Sequence, residues 1–340
     1  MFFRHLRLIA MACVLAACGA AASPAPTPSA VPAPSAIPAS PTAGATPTTG
    51  ATVAPEAGIS ITDAAGRTVV VPVSARRIVS LAPSASEIVA FVGAIDRLVA
   101  VDDFSDYPPA LQNLPRVGGS DFTYDAEAIV ALEPDLVLAA GITSPDAVGQ
   151  LADLGLTVVV VGGLEASLES ILTDITLVGS LVGAADSTAE AVAALRERVA
   201  TVQRAIAAVE GRPRVYWEID ATDPQRPYSI APGSFMHELL TTAGGENIFA
   251  DATNPYPQVS VEQIIDGDPQ IIVMSNAAYG TTVESLRGRT GWQDITAVRD
   301  QQVFPIDDDL VSRPGPRAVD GLEVLARLLH PGQFDGQMAP

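Results

Sequence analysis

The sequence predicts an α/β protein of two similar lobes, each around a mostly parallel central sheet, joined by one long helix. Three observations carry that prediction. A helix-to-strand pattern occurs twice, from Glu127 to Leu138 and again from Glu262 to Val273, with Glu, two adjacent aliphatics, Pro and a closing apolar triplet in register. Short apolar runs alternate with helical stretches in both halves. Between the halves, Ser187 to Glu210 has the apolar spacing of a single long helix.

From the N-terminus, Arg4 and Arg7 precede an uncharged apolar run from Leu8 to Ala17 and then Cys18. This is a secretory signal, residues 1–17, too short to span a membrane as a helix. Leu15-Ala16-Ala17-Cys18 resembles a bacterial lipobox, which leaves Cys18 as the lipidated first residue. Acyl chains gain about 0.8 kcal/mol per buried CH₂, and two or more hold a protein stably on a membrane. Cys13 leaves with the signal, so no disulfide forms within the mature chain. Residues 18–58 are rich in Ala, Pro, Thr and Ser without apolar periodicity. They read as a disordered, partly polyproline-II tether reaching on the order of 120 Å when extended.

Residues 59–185 form the N-terminal lobe. Ile59 to Val73 alternates around Asp63-Ala64-Ala65-Gly66-Arg67 and predicts a β-hairpin. Strands follow at Ile78–Leu81, Leu98–Val101, Leu136–Leu138 and Val158–Val161. Strands alternating with helices imply right-handed β-α-β units, hence Rossmann-like lobes. Residues 186–211 form the connecting helix. Ser187 and Glu190 read as a capping box, and Gly211 and Pro213 end it. Val192, Leu195, Val199, Val202, Ile206 and Val209 give one narrow seam along roughly 36 Å, the span of a stiff strut. A cleft between lobes so joined opens and closes only slightly. Residues 212–331 repeat the theme with strands at Arg214–Trp217, Ile271–Met274 and Gln302–Pro305, and 332–340 are a tail.

In each copy of the repeated pattern the Glu lies in the first turn of a short helix, where the dipole favours an anion. Proline then stops the helix, and the apolar triplet reads as a strand buried on both faces. That connection alone is common. A second matched element makes it a repeat: Leu81-Ala82-Pro83 leads through a helix-like run to Gly93, and Ile230-Ala231-Pro232 leads likewise to Gly244-Gly245. Equivalent positions on two lobes make Glu127 and Glu262 a symmetric pair suited to a two-fold partner.

Composition narrows the function. None of the 19 basic residues is lysine, 39 residues are acidic, and loss of Arg4 and Arg7 takes the formal charge of −20 further negative. Nucleic-acid binding by bulk charge is thereby disfavoured. The mature histidines are His237 and His330 only, so a three-His metal site is excluded, and no G-x-S-x-G, P-loop or H-E-x-x-H occurs. Gly118-Gly119, Gly162-Gly163 and Gly244-Gly245 lack dinucleotide spacing, and the first two read as loops. Asp307-Asp308-Asp309 reads as a solvated loop. The chain reads as a binder with no cofactor, not an enzyme.

The lipobox, the tether, Ser105-Asp106-Tyr107-Pro108-Pro109, the doubled Glu element, Gly244-Gly245-Glu246-Asn247-Ile248-Phe249 and the strut helix together resemble the substrate-binding proteins of ABC importers with a rigid connecting helix. That family serves vitamin B12, haem and ferric siderophores, and the likeness over residues 59–331 is closest to the members that take vitamin B12. It implies a monomeric, extracytoplasmic lipoprotein that hands a small ligand, a corrinoid first of all, to a membrane permease. It implies that Glu127 and Glu262 dock onto permease arginines. Tyr107, Tyr228 and Tyr256 fall where aromatics lie against the corrin, Asp309 and Arg313 match polar residues that contact ligand amides, and Phe122 and Phe104 lie in neighbouring cleft loops. Arg313-Pro314-Gly315-Pro316-Arg317 is shared with haem and siderophore members, which leaves those ligands as the alternative.

Overall fold

The computed structural model describes residues 58–334, except Phe122 and Leu164. The leader, Cys18 and the tether through residue 57 therefore lie outside the described residues, as do Phe122 and residues 335–340. No helix among the described residues is long and apolar enough to cross a membrane.

The first strands, β1 (Ile59–Thr62) and β2 (Thr68–Val71), pair antiparallel as a hairpin. Asp63 organises its turn by accepting from the N–H groups of Ala65 and Arg67, and it reaches across to the N–H of Val160 at 3.1 Å. The first lobe continues with β3 (Ile78–Ser80), α1 (Pro83–Phe91), β4 (Leu98–Val101), α2 (Ala126–Ala131) and β5 (Leu136–Ala140). It closes with α3 (Pro145–Asp153), β6 (Val158–Val161) and α4 (Leu168–Leu181). The strut, α5 (Ala185–Ala207), leads into β7 (Arg214–Glu218), α6 (Phe235–Thr242), β8 (Glu246–Asn247), α7 (Val261–Gly267) and β9 (Ile271–Met274). Last come α8 (Val283–Arg287), α9 (Thr296–Arg299), β10 (Val303–Pro305), α10 (Asp308–Ser312) and α11 (Ala318–Leu329).

Both main sheets are parallel, in the orders β4-β3-β5-β6 and β8-β7-β9-β10. Read in chain order, each sheet is second-first-third-fourth. The two lobes are thus the same fold twice, as the repeated pattern predicts. Strands β3, β5, β6 and β9 are buried along their whole length, which is why they are apolar runs and not alternations. The short strand β8 has no such run to announce it.

The repeat extends to backbone detail. Glu133 and Asp268, at matching places after α2 and α7, both adopt positive φ (46° and 36°) before a proline. This left-handed conformation costs a residue with a Cβ roughly 1–2 kcal/mol, and an arginine at the start of each main sheet's first strand, β3 or β7, holds it. Arg77 donates to the carbonyls of Leu132 (2.6 Å) and Glu133 (3.2 Å). Arg214 does the same for Gly267 (3.3 Å) and Asp268 (2.7 Å). The side chains of Asp135 and Gln270 then accept from the N–H groups of Arg77 and Arg214 respectively (both 3.0 Å).

The strut buries Val192, Leu195, Val199, Val202 and Ile206, the predicted seam, but it ends at Ala207, so Val209 lies beyond it. The predicted capping box is absent. After α4 the chain closes on itself, with Gly183 at φ 70° and the Ala184 N–H donating to Gly179 O at 2.8 Å. The helix therefore begins at Ala185, and the Ser187 hydroxyl donates to Ala184 O instead of capping. Arg196 pairs with Glu169 on α4, while Arg198 makes a forked pair with Glu323 on α11 and also reaches Asp320. The strut is thereby tied to both lobes.

Gly179 is where α4 meets the strut: a Cβ there would sit 2.3 Å from Thr188 Oγ1 and 2.6 Å from its Cβ. Gly179→Val is expected to destabilise the protein by about 1–3 kcal/mol through overpacking, read as a lowered urea midpoint. An unchanged midpoint would show that the contact relaxes freely.

Candidate functional site

A cavity of about 690 Å³ lies between the lobes, at the carboxyl ends of the parallel strands, the usual ligand position of open α/β sheets. The first lobe contributes Ala82, Pro83 and Ser84 after β3, Phe104 after β4, Gly141 and Ile142 after β5, and Gly162, Gly163 and Glu165 after β6. The second contributes Gly233, Phe235, Pro255, Tyr256, Tyr279 and the segment from Asp308 to Pro314.

The loop after β4 is held from beneath by buried hydroxyls. Ser86 donates to Ser80 (2.8 Å) and lies 2.7 Å from Ser105, whose hydroxyl donates to Asp102. Arg116 secures the same loop through the carbonyls of Asp102 and Ser105 (both 2.7 Å). This holds the backbone of the loop that carries Phe104 and Tyr107.

Across the cavity floor the lobes meet in a charged cluster. Glu87 on α1, whose side chain is 2% exposed, accepts two hydrogen bonds from Arg317 (2.6 and 2.8 Å) and one from Arg313 (3.2 Å). Arg313 also pairs with Asp106 and Asp309, both at 2.7 Å. The Arg317 guanidinium lies 4.1 Å above the Tyr107 ring, within cation–π range. The three-aspartate run is not a loop: Asp307 caps α10 by accepting from the Asp309 N–H, which turns Asp309 toward Arg313. Burial raises the carboxyl pKa values of both Asp308 and Asp309.

Of the predicted ligand residues, Tyr256, Asp309 and Arg313 line the cavity, and so does Phe104. Tyr107 and Tyr228 are half exposed and are not among its lining residues; Tyr228 forms a short antiparallel bridge with Asp220 and Gln258 beside β7. Phe122 lies outside the described residues. The sequence reading missed Tyr279, which is 77% exposed and donates to Asp308 at 3.3 Å, and Ile142, 62% exposed. Glu87 was missed too, because the one charged residue of a short helix gives no local sign of a distant partner. His237 is not among the lining residues, and its Nδ1 lies 3.0 Å from the Asn247 amide.

Glu127 and Glu262 are exposed, each the second residue of its helix, α2 and α7. Asp125 and Ser260 cap these helices. Hydrogen bonds from its own N–H and from Ser260 hold the Glu262 carboxyl below its ordinary pKa.

A second cavity, about 820 Å³, wraps the sheet edge beneath the hairpin turn and shares Gly141, Gly163 and Glu165 with the first. Asp174 on α4 lines it and accepts from the Gly162 N–H at 2.8 Å, so it anchors the loop that both cavities share.

A family profile described as periplasmic binding protein matches residues 78–310. The ABC transporter substrate-binding lipoprotein YvrC of Bacillus subtilis is 30% identical, over 81% of this chain and 87% of that protein. A vitamin B12-binding protein of Vibrio cholerae is 33% identical over 76% and 90%. Among solved structures, the Vibrio cholerae periplasmic vitamin B12-binding protein superposes with a TM-score of 0.67 at 32% identity, over 77% of this chain and 99% of that one. A periplasmic haem-binding protein of Pseudomonas aeruginosa gives 0.65 at 27% identity, over 76% and 94%.

Burial pushes the Asp174 carboxyl up to about 6, whereas an unfolded aspartate titrates near about 3.9. The folded state therefore binds this proton more tightly. Its contribution to stability is complete below about pH 4 and is lost as pH rises through about 6. Asp174→Asn keeps an acceptor for Gly162 and should remove that loss, gaining up to roughly 3 kcal/mol on the wild type between acid and neutral pH. Parallel stability–pH curves for the two proteins would contradict this.

Proposed function

Because this chain belongs to the periplasmic binding protein family, whose members carry solutes to transporters and are not enzymes, we propose that it is an extracytoplasmic receptor delivering a cobalamin-like corrinoid to an ABC importer. The observation that carries the corrinoid choice is the charge of the cavity. Arg313 is its only cationic lining residue among the described residues, and three carboxylates already surround that guanidinium. A ligand edged with neutral amides suits such a wall better than one edged with carboxylates. The vitamin B12-binding relatives support the same choice.

Tyr256 and Tyr279 supply aromatic faces of the kind a flat macrocycle packs against. They also motivate the second reading, a haem or ferric-siderophore receptor, because a tyrosine phenolate ligates ferric haem. Burial raises the pKa of the Tyr256 phenol, and at the largely exposed Tyr279 partial desolvation of the hydroxyl and the Asp308 charge raise it too, which works against the phenolate. In either reading the protein is a monomer tethered through lipid on Cys18, and Glu127 and Glu262 engage the permease while Tyr256, Asp309 and Arg313 line the ligand's cavity. The strut limits closure to a small movement.

The soluble fragment should bind cyanocobalamin saturably and leave haemin and a ferric hydroxamate unbound. Tyr256→Ala should weaken that binding by about 1–3 kcal/mol. Tight binding of haemin or the hydroxamate alone would replace the corrinoid with the second reading. Replacing Glu127 and Glu262 together by Ala should abolish uptake in cells with ligand affinity unchanged; a loss of affinity would move these residues from docking to the ligand site.

A further inference from the structure

We infer that Glu87 sets the charge selectivity of the cleft: by holding Arg313 and Arg317 in buried pairs across the lobe boundary, it withholds both arginines from the ligand. This rests on the receptor reading and deepens it to a named residue. Glu87 belongs to the first lobe, whereas both arginines follow α10 in the second. Its two oxygens accept from three guanidinium N–H groups, Arg317 Nε and Nη2 and Arg313 Nη1. Asp106 and Asp309 pair with the Nη1 and Nη2 groups of Arg313, and Tyr107 covers the face of Arg317. Three carboxylates thus surround two guanidiniums whose side chains are each 15% exposed.

The rest of the charge facing the cavity is Asp308 and Glu165. An anionic ligand entering here meets carboxylates and one guanidinium, that of Arg313, which already pairs with three carboxylates. A charge-assisted hydrogen bond from a guanidinium is among the strongest contacts available to a ligand carboxylate. Occupying those donors internally is therefore a direct way to refuse carboxylates while accepting amides, which is specificity by withholding a contact. Without Glu87, Arg313 at the cavity wall would keep only Asp106 and Asp309, and the freed Nη1 donor could turn to a ligand carboxylate.

The test compares one neutral-edged probe, cyanocobalamin, with one anionic probe, haemin, on wild type, Glu87→Gln and Asp106→Asn. Asp106 is 53% exposed, so its replacement keeps the test open if Glu87→Gln fails to fold. The expected result is a shift of the affinity ratio toward haemin by on the order of tenfold in Glu87→Gln. A smaller shift in the same direction is expected for Asp106→Asn, and the gained haemin affinity should fall as salt rises. A merely structural role would weaken both probes together and leave the ratio and its salt dependence unmoved, which would overturn the inference. Wild type that already prefers haemin would overturn both this and the corrinoid reading. Wild type silent toward both probes, with haemin binding gained in the variants, would remove the corrinoid reading alone; silence in every protein would remove both.

Discussion

A single hydrophobic core runs through both lobes and under the strut, from Val71 and Ile78 through Leu172, Val199 and Val202 to Trp217, Leu240 and Leu325. The outer face of each sheet has a separate, smaller core of its own. Moving one lobe far relative to the other would expose side chains of the shared core, at about 25 cal/mol for each Å² returned to water. Polar contacts follow the same plan. Glu238 on α6 accepts from the Leu168 N–H at the start of α4, 2.9 Å away, and Arg196 and Arg198 fasten the strut to opposite lobes. The cleft is therefore a gap held between parts of one folded body.

The charged cluster on the cleft floor adds geometry where the core cannot. Buried ion pairs contribute little net stability, because desolvation offsets their attraction, yet removing one partner is costly. Such a cluster fixes which groups meet. Here it orients α10 against α1 and places the Tyr107 ring under Arg317. Within the cavity it leaves aromatic faces and carboxylates beside the paired Arg313.

Much of this was legible in the sequence, because it depends on local periodicity. The strands of both sheets except β8, the hairpin, the strut seam and the repeated Glu helix all leave patterns within a few residues of themselves. What escaped depends on partners distant in the chain. The arginines that clasp the ends of α2 and α7, Arg77 and Arg214, lie more than fifty positions from their carbonyls. Glu87 meets Arg317 from 230 positions away in the chain. The start of the strut was misplaced because the turn closing α4, not a side-chain cap, decides it. Asp307–Asp309 was read as a loop because a five-residue helix leaves too short a pattern to recognise.

The central claim, a preformed cleft that closes only slightly, is tested most directly by the distance between the lobes. Spin labels on Asp153→Cys and Glu284→Cys, exposed positions on α3 and α8, would report it by pulsed electron resonance before and after saturation with cyanocobalamin. The account predicts one narrow distance distribution that barely moves when ligand is added. A broad distribution in the free protein, or a large shift on binding, would contradict it and make the strut a hinge.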